Sequence, residues 1–158
     1  AFRYMIGDTV KFTDLDRSEI LITGRTKYFL NVVGSQLSEE KLNDAIYQLS
    51  QELDTTINEF AVAALKDEAG EYYHQWVIGT SAPIDEDKAR HHLDEMLKSL
   101  NKNYRVARDK ALKGICLRRA HQNDFYEWLE TNKKKGGQIK VPKVMSEEKM
   151  RGFLEFLS

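Results

Sequence analysis

Two residues that are well suited to hold a ligand each follow a glycine. Asp8 comes directly after Gly7 at the start of a predicted strand, and Arg25 comes directly after Gly24, just beyond another. A carboxylate accepts hydrogen bonds from two donors at once, and the planar fork of an arginine donates to paired oxygens. Taken alone, each pair is more often a turn beside a solvated charge. Only their combination could build a site.

A second group of candidates lies near the end of the chain. Lys140 and Lys143 flank Val141-Pro142 and follow the loop Lys133 to Gly137, which is charged and glycine-rich and has too little apolar content to pack. A loop of this kind could deliver either lysine into a cleft. The alternative is a loop of lysines that are simply solvated.

Other polar residues carry weaker signals. His74 lies in an aromatic, strand-like run, where a packing role is more common than a functional one. His91 and His92 are neighbours on a predicted helix, so they point in different directions and do not form a chelate. Arg105 and Arg108 could approach a ligand, or they could form a charged helix surface. The sequence therefore predicts no metal site.

The elements that would position these residues begin with short strands. Thr9 to Thr13 and Ile20 to Thr23 read as a hairpin that feeds a third strand, Tyr28 to Val33. Ser38, followed by two glutamates, predicts a helix start, and apolar residues then recur at helical spacing as far as Leu53. A hairpin, a strand and an amphipathic helix are expected in this order.

The rest of the chain continues to alternate strands with helices. Ile57 to Leu65 and Tyr72 to Thr80 predict an antiparallel hairpin, Asp85 opens a second helix, and Gly114 to Ala120 predicts a closing strand. From the third strand onward the order is β-α-β-β-α-β, a ferredoxin-like α+β arrangement with helices on one face of an antiparallel sheet. Residues 122–132 and 146–157 predict additional C-terminal helices.

Composition narrows the classes of protein. The chain has 158 residues, enough for one sizeable core, and its net charge of -1 gives no case for nucleic acid or an acidic membrane as partner. Cys116 is the only cysteine, so an internal disulfide is excluded, and its apolar neighbours predict a buried structural thiol. No apolar stretch is long enough to span a membrane, and the first residues lack the basic, apolar and small-residue order of a signal peptide. A reducing, cytoplasmic setting is expected.

The order of these motifs resembles one family of enzymes. The pieces are Tyr4 to Val10, the span Gly24 to Leu42, and Gln138 to Lys143. Together they resemble the C-terminal region of the auxin-responsive acyl-acid amido synthetases, the Gretchen Hagen family, and specifically its bacterial members. These enzymes belong to the ANL adenylate-forming superfamily, with acyl-CoA synthetases and luciferases. In that plan a large N-terminal domain binds ATP and acid, and a smaller C-terminal lobe rotates between two half-reactions.

The resemblance implies roles for individual residues. Asp8 would accept hydrogen bonds from the ribose hydroxyls of the nucleotide, Tyr4 would help to shape that site, and Arg25 would reach the ribose or phosphates. Lys27 matches the hinge position. Lys140 would be the catalytic lysine that bridges the acyl carboxylate and the α-phosphate, with Lys143 as substitute. The Gly-Lys pair typical of acyl-CoA synthetases is not present.

The resemblance also implies domains, substrates and partners. Residues 1–26 would end the large adenylation domain and approach the hinge, and residues 27–158 would form the mobile lobe, inactive by itself. The whole enzyme would use ATP and Mg²⁺ to activate a carboxylic acid as acyl-AMP and join it to an amine, expected to be an amino acid. Its partner would be the N-terminal domain of the same polypeptide. The alternatives are an acyl-CoA ligase lobe or a non-enzymatic ferredoxin-like module that binds a ligand or a protein.

Overall fold

The computed structural model describes residues 8–25, 30–132 and 140–158, with the backbone alone at residues 8, 9 and 22–25. Five strands and five helices alternate along these ranges. Their bounds are β1 Asp8–Asp14, β2 Glu19–Arg25, α1 Glu39–Glu52, β3 Ile57–Lys66, β4 Tyr72–Thr80, α2 Glu86–Leu100, α3 Lys102–Lys110, β5 Leu112–Ala120, α4 Gln122–Thr131 and α5 Glu147–Phe156.

Polar residues at the helix starts explain where the helices begin. The Ser38 and Asp85 side chains accept hydrogen bonds from backbone N–H groups in the first turns of α1 and α2. Asn101 does the same for α3, and Ser146 for α5. Such caps satisfy amides that the helix itself leaves without acceptors. The predicted starts of α1 and α2 are confirmed, and the cap at Asn101 separates α2 from α3.

The strands form two separate sheets. β1 and β2 make an antiparallel hairpin, in which Phe12 lies opposite Ile20 and Asp8 lies opposite Arg25. β3, β4 and β5 make a three-stranded sheet in that order, with β3 antiparallel to β4 and β5 parallel to β4. The sheet is extended at its β3 edge by a single parallel bridge between Val62 and Val144.

Helices cover both faces of the three-stranded sheet. On one face α1, α2 and α3 pack on Phe60, Val62, Trp76 and Ile78. On the other face α4 and α5 pack on Ala61, Ala63, Leu65 and Val77. The alternation of these residues between two clusters follows from the period of two along a strand. Both faces are therefore buried, which is why β3 and β4 read as nearly continuous apolar runs.

The α+β class, the N-terminal hairpin and the added C-terminal helices of the ferredoxin-like lobe are confirmed. Three details differ from the prediction. The sheet is mixed rather than antiparallel, and helices cover both of its faces. In the predicted third strand, residues 28 and 29 lie outside the described residues, and beyond Leu30, which bridges Leu37, the chain forms a loop. Because that strand does not lie beside β4, β5 pairs there directly, and strands joined by a helical crossover run parallel.

Candidate functional site

The hairpin carries the first pair of predicted site residues at its open end. Asp8 and Arg25 are direct partners in the register, one at the start of β1 and the other at the end of β2. Directly opposed residues of an antiparallel pair lie about 4.5–5.5 Å apart. The backbone therefore brings together the two residues that the sequence singled out. Tyr4 and Lys27 lie outside the described residues.

The span that follows the hairpin forms a closed loop. Leu30 and Leu37 exchange two backbone hydrogen bonds of 2.9 and 3.1 Å. Between them the fully buried Ser35 donates its hydroxyl to the Leu30 carbonyl at 3.1 Å. Gly34 has a φ of 81° within this turn, a conformation that glycine adopts without strain. The loop leads directly to the cap of α1, so it fixes where that helix starts.

Two asparagines are involved in holding this loop against the helical layer. The Asn101 side-chain amide donates to the Gln36 carbonyl at 2.9 Å, while its oxygen caps α3. The Asn103 amide donates to the Gln36 side chain at 2.7 Å. Lys41 donates to the carbonyl of Leu100 at 2.7 Å. The loop is thus tied to the junction between α2 and α3, a role for Asn101 that spacing alone does not indicate.

The two candidate lysines lie in one segment on the edge of β3. Val62 donates its N–H to the Lys143 carbonyl at 2.8 Å, and Met145 donates to the Val62 carbonyl at 2.9 Å. Val141 and Met145 are buried in the core on the α4/α5 face. The segment 140–145 is therefore packed on the edge of the sheet. The preceding glycine loop, residues 133–139, lies outside the described residues.

Lys140 and Lys143 have different surroundings. Lys140 is exposed. Lys143 is half-buried, and its Nζ lies 4.3 Å from the centroid of the Phe60 ring. Burial lowers the pKa of Lys143 and the Lys140 charge lowers it further, while Glu59 and Glu39 act in the opposite direction. Lys143 is thus held against β3, whereas Lys140 is exposed to solvent.

Both lysines line one small pocket together with Glu39. The pocket has a volume of about 90 Å³, and Val141 and Pro142 complete its wall. Glu39 is the first residue of α1, directly after the Ser38 cap. The fold therefore brings the end of the Gly24 to Leu42 span next to the segment Lys140 to Lys143, although a hundred residues separate them along the chain. These are two of the three stretches that carry the sequence resemblance.

A partly buried polar network joins α2, α3 and β5 and was not predicted. The Asp94 carboxylate accepts from Tyr104 at 2.6 Å, from Arg108 at 2.8 and 2.9 Å, and from Lys98 at 2.9 Å. Arg108 also donates to the Leu112 carbonyl at 2.7 Å. Burial by itself would raise the pKa of Asp94, but the hydrogen bonds from Arg108, Tyr104 and Lys98 outweigh it and hold that pKa well below its usual range. Arg108 is thus committed to an internal ion pair.

His74 lies beside this network in the core. It is fully buried, and its ring centroid lies 5.7 Å from that of Tyr104. Neither ring nitrogen has a hydrogen-bond partner among the residues that the structure describes. Burial lowers the pKa of His74 to about 3, and the nearby Arg108 adds to the effect while Asp94 opposes it. His74 is therefore a neutral packing residue, as its sequence context predicted.

The exposure of Cys116 differs from the sequence prediction. It was expected to be a buried thiol, but it is exposed on β5. β5 is the last strand of the three-stranded sheet, and its exposed residues alternate with buried ones such as Ile115 and Leu117. Apolar neighbours in sequence therefore point to the opposite face of the sheet from Cys116.

Residues 8–25, 30–132 and 140–158 contain neither a metal site nor a membrane-spanning helix. No group of three or more His, Cys, Asp or Glu side chains converges there in a way that could hold a metal ion. Over the same ranges no helix combines the length and the apolar character needed to cross a bilayer.

Comparison with known proteins identifies the family. The model of the GH3 family C-terminal domain matches residues 40–149. Among solved structures, the GH3.15 acyl acid amido synthetase superposes with a TM-score of 0.68 at 20% sequence identity, covering 98% of this chain and 31% of that chain. The AtGH3.15 acyl acid amido synthetase in complex with 2,4-DB gives 0.67 at 20% identity, covering 95% and 29%.

At this identity the solved structures show a shared fold. No curated protein sequence matches the chain. The chain spans about a third of the length of the synthetases on which it superposes. The family model covers more than half of the chain, including α1, the three-stranded sheet and the segment with both lysines. The chain therefore belongs to the GH3 family, in which it corresponds to the C-terminal domain.

Proposed function

We propose that this chain is the C-terminal lobe of an ATP-dependent acyl-acid amido synthetase. The observation that carries the proposal is the match of the GH3 C-terminal domain model across residues 40–149, together with a fold shared with a GH3.15 acyl acid amido synthetase. On this proposal the complete enzyme activates a carboxylic acid as acyl-AMP and transfers the acyl group to an amine. The amine is expected to be an amino acid.

In the first step the carboxylate of the acid attacks the α-phosphate of ATP, and pyrophosphate leaves. We assign Asp8 and Arg25 to the nucleotide, Asp8 as acceptor for ribose hydroxyls and Arg25 as donor to ribose or phosphate oxygens. Their direct pairing in the hairpin register supports this assignment, since one ligand can meet both residues only if they lie close together. Mg²⁺ would neutralise phosphate charge when it is bound with ATP.

We assign Lys140 to the charge that develops on the carboxylate and the phosphate. An exposed ammonium at the rim of a pocket can reach a substrate held by another domain, and a fixed positive charge stabilises such a transition state. Lys143 remains the substitute, although its contact with Phe60 holds it against β3. In the second step the amine attacks the acyl carbonyl, and AMP leaves.

The test is acid-dependent pyrophosphate exchange by the full-length enzyme. Lys140→Ala should lower the exchange rate by about 10²–10³-fold, because removing one such donor has that effect on transition-state charge. Lys149→Ala is the matched control, since Lys149 is also exposed and lies in α5, outside the pocket. Undiminished exchange in Lys140→Ala with a large loss in Lys143→Ala would move the role to Lys143. Exchange that neither substitution reduces would refute the assignment of a catalytic lysine to this segment.

A further inference from the structure

The last strand, β5, leaves one edge of the three-stranded sheet open. It pairs with β4 on one side, and among the described residues no strand pairs with its other side. The N–H of Arg119 donates to the Glu86 carboxylate at 2.8 Å, so it points away from β4. The pairing with β4 has no shift beyond Ile115, and backbone groups alternate in direction along a strand, so those of Ile115 and Leu117 point away as well. We call the outward backbone of residues 115–119 the β5 edge.

The β5 edge has the form of a template for a further strand. A row of outward N–H and C=O groups can pair with another chain, and peptides that add in this way gain affinity from main-chain hydrogen bonds. Outside β4, no residue that the structure describes forms a hydrogen bond with the backbone of Ile115 or Leu117. The Glu86 carboxylate shows that an outward N–H of this strand takes an acceptor where one is within reach.

A cavity of about 760 Å³ opens at the start of this edge. Its lining includes the four consecutive residues Lys113 to Cys116. The Ile115 side chain is only 5% exposed and packs in the core on the α2 side, so this residue meets the cavity through its backbone. The other charged residues of the lining are three basic and two acidic ones: Lys66, Arg90, Arg151, Asp67 and Glu68. The cavity therefore offers room and polar partners beside an open strand edge.

Gly114, in the middle of this lining, is not required by the fold itself. The register with β4 shifts between Leu112 and Ile115, but Gly114 does not have a positive φ, so this bulge does not demand glycine. A Cβ added at Gly114 would come no closer than 3.9 Å to the Arg108 side chain, which is an ordinary contact. A glycine within a strand often marks a place where another backbone approaches closely. An added strand would be such a backbone.

Charge indicates the chemistry of the partner. β5 carries Lys113, Arg118 and Arg119 and has no acidic residue. Arg118 donates to the Leu157 carbonyl, and Arg119 donates to the hydroxyl and the carbonyl of Thr80. These acceptors are uncharged, so they do not neutralise either guanidinium. Opposite charges across a strand pair are stabilising and like charges are destabilising, so β5 favours an acidic strand and disfavours a second copy of itself.

We infer that the β5 edge binds an extended acidic segment of another polypeptide, which adds to the sheet as a further strand beside β5. The inference does not depend on the proposed function. Segment 140–145 lies at the β3 edge, on the other side of the sheet from β5. The partner would therefore leave Lys140 and Lys143 accessible.

Peptide binding to the 158-residue chain tests the inference. The probes are two peptides of the length of β5, nine residues, that alternate valine with threonine and carry either three glutamates or three lysines. The glutamate peptide should slow amide hydrogen exchange at Ile115 and Leu117 by at least about tenfold, because these amides gain acceptors. It should change little at Cys116 and Arg118, whose amides face β4, and the lysine peptide should change neither pair. Equal slowing by both peptides, or no slowing at Ile115 and Leu117, overturns the inference.

N-methylated forms of the glutamate peptide separate strand addition from simple attraction of charges. Methylation of every peptide nitrogen removes all main-chain donors and should abolish binding, whereas methylation of alternate residues leaves one edge free and should preserve it. Equal binding of the two forms would mean that charge alone holds the peptide, and would overturn the inference.

A charge reversal on β5 tests the choice of an acidic partner. Lys113→Glu should weaken binding of the glutamate peptide by about threefold or more, because it makes one cross-strand pair repulsive. Lys102→Glu is the matched control, since Lys102 is exposed on α3 outside the cavity. Equal effects of the two substitutions would overturn the acidic assignment. Displacement of the peptide by equimolar citrate would assign the cavity to a small anion, and protection that rises with the concentration of the chain alone would assign the edge to a second copy; either result overturns the inference.

Discussion

The two sheets of this molecule differ in how their side chains are used. The three-stranded sheet β3–β5 lies between two helical layers, and its inward residues are almost entirely buried. The hairpin β1–β2 has shorter strands with fewer apolar residues, and the large ones whose burial the structure describes are exposed: Val10, Phe12, Ile20 and Leu21. The difference teaches that apolar strands alone do not build a core. A covering layer does, and among the described residues two helical layers provide it for the three-stranded sheet.

The largest expected difference compares two phenylalanines. Phe153 of α5 is fully buried against Phe125 and Trp128, so Phe153→Ala in the 158-residue chain should lower the free energy of unfolding by about 3–5 kcal/mol. Phe12→Ala removes the same side chain from the hairpin and should change it by less than about 0.5 kcal/mol. Urea unfolding followed by tryptophan fluorescence measures both. A similar cost at the two positions would break the comparison.

A smaller effect is expected from the polar network inside the helical layer. Asp94→Asn removes the charge that Arg108, Lys98 and Tyr104 share, and should lower the free energy of unfolding by about 2–3 kcal/mol. Asp87→Asn is the control, because its contact with Arg90 is exposed and should contribute less than about 0.5 kcal/mol. Urea midpoints at neutral pH check both. Equal midpoints for the two variants would mean that the network adds no stability.

The network also predicts how the lobe responds to acid. The pKa of Asp94 is lower in the folded than in the unfolded chain, so its contribution is complete above about pH 4 and is lost as the pH falls further. The stability gap between the wild type and Asp94→Asn should therefore begin to narrow below about pH 4, and it should close only as the pH falls through the lower pKa of the folded state. If the gap between them stayed constant from pH 7 to pH 3, the ion pair would not be the source of the difference.

Replacing His74 should change the free energy of unfolding least at neutral pH. In mild acid it should change how that free energy depends on pH. Its pKa is about 3 in the folded protein against 6.5 for the ordinary side chain, so between these values the unfolded chain binds the extra proton. Stability should then fall by about 1.4 kcal/mol for each pH unit below about pH 6. His74→Leu should remove this slope, whereas the exposed His91→Leu should keep it. An unchanged slope in His74→Leu would exclude His74 as its origin.

Features that depend on near neighbours in the chain could be predicted. Ser38 and Asp85 mark helix starts because a cap acts within three residues. The nearly continuous apolar runs of β3 and β4 indicate that these strands are buried. The pairing of Asp8 with Arg25 follows from a hairpin whose turn the sequence already suggests. Whether these two bind a nucleotide stays a prediction, as do the roles of Tyr4, Lys27 and Lys140, the domain boundary at residue 26 and the bacterial origin.

Features that depend on distant residues could not be predicted. Arg108 reads as surface charge because nothing near it in sequence shows that Asp94 lies across the turn between α2 and α3. Cys116 reads as buried because strand alternation matters only once the cover of each face is known. The parallel position of β5 depends on which strand occupies the place beside β4, a choice made by packing of the whole chain.

That parallel pairing sets an order of assembly for the lobe. β3 and β4 are joined by a short turn and can close on each other early, since little chain entropy is lost. β5 pairs with β4 across a crossover that contains α2 and α3, so closing this pair costs more chain entropy and is expected later in folding. Until β5 pairs, one edge of β4 is free to pair with other strands. The pairing of β5 with β4 should therefore be the slowest step in the folding of this lobe.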